Sequence, residues 1–302
     1  MFPEIVVVGY VSQDIVEGPR GFRQVLGGAG TYSAVAAAVC KANVGLVSRI
    51  GDDFNPVHLK NLEKVGVDIK GIKGIPNEKS SKWVITHEKS KVKHLEYGVN
   101  VGFSISVEDF PKKYLNASVY HLCSLSPDQQ FAFIKFLQEV NPYAYISVDT
   151  KLEEMARSPR VFFSDVLANS DFFFPNKFEA HEAHWKIRGK REDNLNEIGR
   201  SLARIVNEFV VIKDAENGAS YFDKNKEFHL PSYPAKVVEL TGAGDTFVGG
   251  FLTSFIKEKN PKECVALGNA VASFVIEDYG MERLFEIQNK HVEARAQHIL
   301  RY

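Results

Sequence analysis

Short uninterrupted apolar runs recur along the chain, and most are followed by a stretch with helical spacing. Ile5–Val8 leads straight into Gly9, and similar runs lie at Val44–Ile50, Val119–Leu122, Ala144–Val148, Phe172–Phe174 and Phe209–Lys213. Continuous β-branched and aromatic runs of this length describe strands buried on both faces. Helical patterns cover Thr31–Lys41, Pro56–Val65, Asp128–Val140 and Asn194–Glu208, then Ala243–Lys257 and Pro261–Ile276. Strands alternating with helices predict an α/β fold, with a mostly parallel central sheet and helices on both faces.

Two regions break the rhythm. Asp14–Leu26 is short and charged and carries Gly and Pro. From Val67 to Gly102 the chain alternates, as in Ser81-Lys-Trp-Val-Ile-Thr-His and Val92-Lys-His-Leu-Glu-Tyr. Alternation means one buried face and one wet face, which marks an antiparallel sheet. The two regions are expected to pair as a small β-sheet lid formed by about 12–26 and 67–102. No Pro/Gly/Ser-rich linker divides the 302 residues, so a single α/β domain with this insert is expected. The lid's unpaired edges could meet across a homodimer, since open edges tend to be covered.

Charge narrows the function. Lys plus Arg (37) nearly cancels Asp plus Glu (38), which excludes a strongly basic nucleic-acid binder. Cys40, Cys123 and Cys264 are scattered without a CxxC, so neither a disulfide framework nor a zinc knuckle is expected. MFPEIVVVGY lacks a basic region and carries Glu4 within its apolar run, unlike a signal peptide. No apolar stretch is long enough to span a membrane. A cytoplasmic location without membrane partners is expected.

The sharpest chemistry lies in Val237-Val-Glu-Leu-Thr-Gly-Ala-Gly-Asp-Thr-Phe-Val-Gly-Gly-Phe-Leu252. The turn Gly242-Ala243-Gly244 runs into a helix of small residues. Such a turn aims bare backbone N–H groups at one point, backed by the helix dipole, and makes an anion site. Asp245 sits in the same turn. It could simply complement the dipole or cap the helix. A carboxylate beside a phosphate cradle, however, repels phosphate unless it acts. There it can take a proton from an attacking hydroxyl while the N–H groups hold the charge on a transferred phosphoryl.

The run Thr-Gly-Ala-Gly-Asp-Thr-Phe followed by Val-Gly-Gly resembles the C-terminal signature of the ribokinase-like (PfkB-type) carbohydrate kinases. Gly27-Gly-Ala-Gly-Thr-Tyr-Ser-Ala-Val-Ala-Ala-Ala38, a double glycine entering an alanine-rich helix, resembles the family's N-terminal mark. The resemblance runs from Val6 to about Gly280. It implies a ribokinase-like fold, ATP and Mg²⁺ as cofactors, and a small sugar or nucleoside as acceptor. Asp245 then matches the catalytic base, with Gly242, Ala243 and Gly244 as the anion hole.

Asp14, five residues past Gly9, matches the acid that binds two substrate hydroxyls, and Gly27 and Gly28 match glycines that approach the substrate. Asn176-Lys-Phe-Glu179 matches an Asn-x-x-Glu motif tied to phosphate and Mg²⁺. Asn176 would then serve the nucleotide and Glu179 the metal, although the spacing alone reads equally as a helix capping box. Asp149 matches a position near the phosphates. Lys213 through Gly218 corresponds to a loop along the nucleotide, and Asn269 to a residue beside the adenine. Gly51-Asp-Asp-Phe and His121 read as structural.

Three departures stand out. Tyr32 replaces a frequent Asn next to the substrate and cannot copy an amide's paired donor and acceptor. Ala215 replaces a Gly of the nucleotide loop. Glu239 replaces an Asp linked to activation by a monovalent cation, so potassium dependence is left open. A dinucleotide-binding fingerprint fails, because neither Gly28-Ala-Gly-Thr-Tyr-Ser33 nor Gly242-Ala-Gly-Asp-Thr-Phe247 ends in glycine. No Gly-Lys-Ser/Thr triplet supports a P-loop. A non-catalytic ligand-binding relative is a further alternative, set against an intact Asp245. The expected reaction is transfer of the γ-phosphoryl of ATP to a primary hydroxyl of a small sugar. Nucleoside phosphorylation is the close alternative, with Tyr32, Trp83 and Phe103 as rings that could stack on a base or belong to the lid core.

Overall fold

The computed structural model describes residues 2–18, 21–88, 91–98, 100–157 and 159–302. The chain opens with β1 (Ile5–Val8), β2 (Ser12–Gly18), β3 (Gly21–Gly27), α1 (Ala29–Val39), β4 (Val44–Gly51), α2 (Pro56–Val65) and β5 (Val67–Ile75). There follow β6 (Lys82–Glu88), β7 (Lys91–Gly98), β8 (Val119–Leu122), α3 (Pro127–Val140), β9 (Tyr145–Val148), α4 (Leu152–Arg157) and α5 (Arg160–Ala168). Next come β10 (Phe172–Phe173), α6 (Lys177–Arg188), α7 (Leu195–Ala203), β11 (Phe209–Lys213), β12 (Ala219–Asp223) and β13 (Glu227–Leu230). Four helices close the chain: α8 (Ala243–Ile256), α9 (Pro261–Val275), α10 (Glu282–Glu286) and α11 (Asn289–Ile299).

Among the described residues a nine-stranded sheet runs in the order β13-β12-β11-β10-β9-β8-β1-β4-β5. Every pairing from β11 to β5 is parallel, and the two strands at the β13 end are antiparallel. The apolar runs expected to be strands all lie in it. Their lack of alternation has a direct cause in β1. Ile5 and Val7 face one hydrophobic cluster with α1, α8 and α9, while Val6 and Val8 face a second with α3, α5, α6 and α7. Burial on both faces removes any position where a polar side chain would be favoured.

Four strands, in the order β3-β2-β6-β7, form the separate small sheet. Two expectations about it are corrected. Val67–Ile75 belongs to the body, where it pairs in parallel with β4 as the edge strand. This strand is only partly covered, with Lys70, Lys73 and Gly74 exposed, so its sequence carries polar positions as a lid strand does. The lid is also not purely antiparallel: β2 pairs with β6 in parallel. These strands are joined through a whole β–α–β unit rather than a hairpin, which permits that direction. Val16, Val25 and Ile85 make a small apolar patch beneath the lid, packed on Trp83 and Tyr279. Lid positions 19, 20, 89, 90 and 99 and most β7 side chains lie outside the described residues.

The helix expected over Asn194–Glu208 stops at Ala203. Val206 beyond it is buried, which extended the apolar pattern past the helix end. No helix among the described residues is long and apolar enough to cross a membrane. Cys40, Cys123 and Cys264 are free and buried.

Candidate active site

In a parallel sheet the C-terminal ends of the strands form the natural crevice for ligands. Here that edge gathers Gly9 after β1, Asp149 after β9, Asn176 after β10 and Lys213 at the end of β11. α8 begins above it. Gly242 caps this helix with φ 78°, a left-handed conformation that suits glycine. A Cβ there would lie 2.4 Å from the Tyr32 ring. The first N–H groups of a helix have no intrahelical acceptor, and at this turn they face the crevice with Asp245 beside them. Ala243 makes a long 3.4 Å bond to the Leu240 carbonyl.

Close packing of α1 on α8 holds the turn in place. A Cβ on Gly249 would sit 2.2 Å from the Ser33 carbonyl oxygen, so only glycine lets the backbones approach this far. The Ser33 hydroxyl then donates to the Asp245 carbonyl at 3.0 Å. The small residues of both sequence signatures therefore pack against each other.

The end of the crevice at β9 and β11 carries paired charges. Lys213 Nζ lies 2.6 Å from Asp149 Oδ2, with both side chains largely buried. The ammonium also reaches the glycine turn, 3.3 Å from where a Gly244 Cβ would stand. Burial alone would lower the Lys213 pKa, but Asp149, Glu179 and Asp245 hold it above the usual value. Burial pushes the Asp245 carboxyl up to about 6, and Asp149 pushes the same way; Lys213 and Lys151 resist. Glu179 is raised to about 8, first by burial and then by Asp149. The capping box is fully formed: Asn176 N–H donates to Glu179 Oε2 at 2.6 Å, and Glu179 N–H to Asn176 Oδ1 at 3.0 Å.

The other end, around Asp14, is built on the lid strands. Asp14 lies on β2, is only 3% exposed, and accepts from the Trp83 N–H of β6 at 3.2 Å. A Cβ on Gly27 would fall 1.8 Å from Asp14 Oδ2. Gly27 therefore makes room for the carboxylate itself. Gly28 turns the chain at φ 98°, and a Cβ there would strike the Tyr10 carbonyl. Burial raises the Asp14 pKa to about 7, while the Ser12 hydroxyl, Trp83 N–H and Lys151 pull it partly back.

Several residues have other surroundings than expected. Tyr32 is 2% exposed and lies against Gly242, ringed by Glu239, Asp14 and Asp245, so it props the turn from below instead of lining the crevice. Asn269 is buried and donates its amide to the Leu230 and Pro231 carbonyls, tying α9 to the end of β13. Gly218 takes φ 101° where a Cβ would meet the Leu230 carbonyl at 2.2 Å. Ala215 adopts φ 47°, so the loop keeps a glycine-like bend without glycine. Glu239 is buried and accepts from Thr241 N–H at 2.6 Å, just ahead of the glycine turn. His121 bonds Ser147, and burial lowers its pKa to about 3, which leaves a neutral core histidine.

One residue of the crevice escaped the sequence reading. Lys151 follows Asp149 and Thr150, and its ammonium lies over the Trp83 ring at 4.5 Å and the Tyr10 ring at 5.4 Å. Burial lowers its pKa, against Asp245, Glu153 and Asp14. A lysine three residues past a strand end was the available signal. It was hidden because the apolar run ended at Val148.

Residues 3–287 match the family described as pfkB family carbohydrate kinase. A cytidine kinase of Thermococcus kodakarensis is 31% identical over 282 residues, covering 92% of this chain and 97% of that one. The fold matches the nucleoside kinase of Methanocaldococcus jannaschii with a TM-score of 0.83 at 21% identity, covering 98% of this chain and 99% of that chain. A putative ribokinase II from E. coli, solved with ATP and Mg²⁺, also aligns at TM-score 0.83 and 20% identity, over 98% and 99% of the two chains. Matched along nearly its whole length, the chain belongs to the pfkB family of carbohydrate kinases and is an ATP-dependent kinase.

Proposed function

We propose that the protein transfers the γ-phosphoryl group of ATP to the primary hydroxyl of a nucleoside. The observation carrying this reading is the run of groups leading away from Asp14. Its carboxylate bonds Trp83, Trp83 and Tyr10 flank Lys151, and Tyr10 packs edge-on against Phe103 at 6.4 Å. Phe103 is 55% exposed, an open ring at the far end of a run that starts at a carboxylate suited to a vicinal diol. The cytidine kinase relative supports the same choice. A free sugar is the second reading, favoured because Lys151 already covers one face of Trp83.

In this mechanism Asp14 accepts two acceptor hydroxyls and sets the primary hydroxyl toward Asp245. Asp245 takes its proton as the oxygen attacks. The N–H groups of Gly242, Ala243 and Gly244, with Lys213, stabilise charge on the phosphoryl in flight. Such catalysis is largely positioning and electrostatics. Asn176, Gly218 and Asn269 act on the nucleotide side through the shape of its backbone. Among the described residues no group of three or more metal-ligating side chains is assembled. That suits Mg²⁺, which keeps several waters and is held largely by phosphate oxygens. Glu179 would hold it through water, and the ion would neutralise charge on the phosphates. The lid excludes water, so ATP is not lost to hydrolysis. Its edge strands β3 and β7 are proposed to pair across two copies, and the enzyme is proposed to be cytoplasmic.

The test is ATP consumption with a panel of nucleosides and free sugars. Nucleosides should be preferred, and Phe103→Ala should raise the nucleoside KM without altering turnover of free ribose. Preference for ribose, with Phe103→Ala silent, would return the assignment to a sugar kinase.

A further inference from the structure

Lys151 is used by nothing in the mechanism above. It stands on the loop after β9, at the same strand edge as Asp149, and is half-buried and open to the crevice. Its ammonium rests between a body ring, Tyr10, and a lid ring, Trp83. Among the described residues it makes no hydrogen bond or ion pair. This differs from Lys213, whose ammonium is matched by Asp149 at 2.6 Å. A desolvated cation that rests on ring faces, with carboxylates acting on it only from beyond bonding distance, gains from an arriving anion. A nucleoside or sugar acceptor is neutral, so the anion that enters this crevice is the polyphosphate.

We propose that Lys151 is a catalytic residue that grips the transferring phosphoryl group from the acceptor side, opposite Lys213 and the glycine turn. This deepens the phosphotransfer reading and rests on it. In the step, the acceptor oxygen forms its bond to the γ-phosphorus and yields its proton to Asp245. The bond from the γ-phosphorus to the bridging oxygen breaks, and its electron pair leaves with ADP. Lys151 donates hydrogen bonds to a non-bridging oxygen throughout and transfers no proton. Asp245 is the carboxylate that acts on the ammonium most strongly, which agrees with a position beside the reacting oxygen. Because Trp83 belongs to the lid, lid position sets where the ammonium stands, linking closure to chemistry.

The test compares Lys151→Met, Lys151→Gln and Lys151→Arg with wild type on whichever acceptor wild type turns over. Loss of a single preorganised donor to a transition-state oxyanion costs roughly 10²–10³-fold in kcat. That loss is expected for Met and Gln, with both KM values changed far less, partial recovery in Arg, and the melting temperature preserved. A second readout needs no turnover. The chain has two tryptophans, so a Trp185→Phe background leaves Trp83 as reporter. Adding ADP, aluminium fluoride and acceptor should shift Trp83 emission when Lys151 is present and far less in Lys151→Met. Near-normal kcat in Met and Gln, or a loss confined to the acceptor KM, would overturn the proposal. Absence of wild-type turnover with every acceptor would instead overturn the phosphotransfer reading, and the emission shift still decides whether Lys151 senses the phosphoryl mimic.

Discussion

The two ends of the crevice solve the same problem differently. At the nucleotide end, buried carboxylates surround Lys213, which pairs with Asp149 at 2.6 Å. At the acceptor end, Asp14 is as deeply buried but is held by the Trp83 backbone N–H, with Lys151 acting on it as a charge. The first end is electrostatically closed and built on the rigid body. The second is open in charge and built on lid strands. A closed pair fixes geometry for phosphates that always have the same form. An unpaired carboxylate keeps its hydrogen-bonding capacity for a substrate, and burial strengthens the bonds it then makes. The cost is a raised pKa and an unstable ionised form.

The largest effect expected is on Asp245, where the two ends meet. Asp245→Asn should lower kcat by about 10²–10⁴-fold, the usual worth of a general base, while ATP affinity holds or improves. In wild type, kcat/KM should fall on the acid side near pH 6, where Asp245 of the free enzyme gains a proton. A near-normal kcat in the variant would mean that another group takes the proton.

Breaking the closed pair comes next. Lys213→Met leaves Asp149 buried and unpaired, which costs about 3–5 kcal/mol for such pairs. Chemical denaturation should show this loss, and adding Asp149→Asn should recover part of it. If the single variant is as stable as wild type, the nucleotide end is not the rigid element described here.

The acceptor end should respond in affinity. Hydrogen bonds to a charged group are worth about 1.5–3 kcal/mol, so Asp14→Ala should raise the acceptor KM roughly tenfold to a hundredfold, leaving the ATP KM nearly unchanged. Equal changes in both constants would assign Asp14 to the turn instead. Glu179→Gln keeps the capping bond to Asn176 and removes the charge. An effect of about 10–100-fold on kcat with altered Mg²⁺ dependence, as for groups that orient a metal through others, should come without loss of melting temperature. Wild-type turnover would leave Glu179 as a cap alone.

The smallest expected effect is a slope of stability with pH. Burial pushes the Asp14 and Glu179 carboxyls up to about 7 and about 8, above the ordinary carboxylate range. The folded state binds these protons more tightly, so their contribution is full below the unfolded pKa and is lost as pH rises toward the folded one. Stability of the ligand-free protein should therefore decline between about pH 4 and 8. Asp14→Asn should flatten that decline and raise the melting temperature at pH 8, as expected when a functional site holds a strained charge. A profile unchanged in this variant would place the Asp14 carboxylate in water.

Local chemistry determined much of this protein in advance. Strands buried on both faces must read as continuous apolar runs. The glycine turn with Asp245 must read as an anion site, because no other residue bends and exposes backbone in that way. Asp14, Gly27 and Gly28 were marked by the family resemblance and not by local chemistry, and the fold adds that Gly27 makes space for Asp14. Tertiary structure decided whatever depends on neighbours distant in sequence. Val67–Ile75 alternates like a lid strand but joins the body at its edge, because alternation reports one open face and not which sheet owns the strand. Tyr32 and Asn269 looked like ligand contacts until packing buried one under Gly242 and turned the other's amide to the β13 backbone. Lys151 carries only the weak signal of a lysine just past a strand end. The two ring faces it rests on, one from the body and one from the lid, are brought to the same cation only by folding.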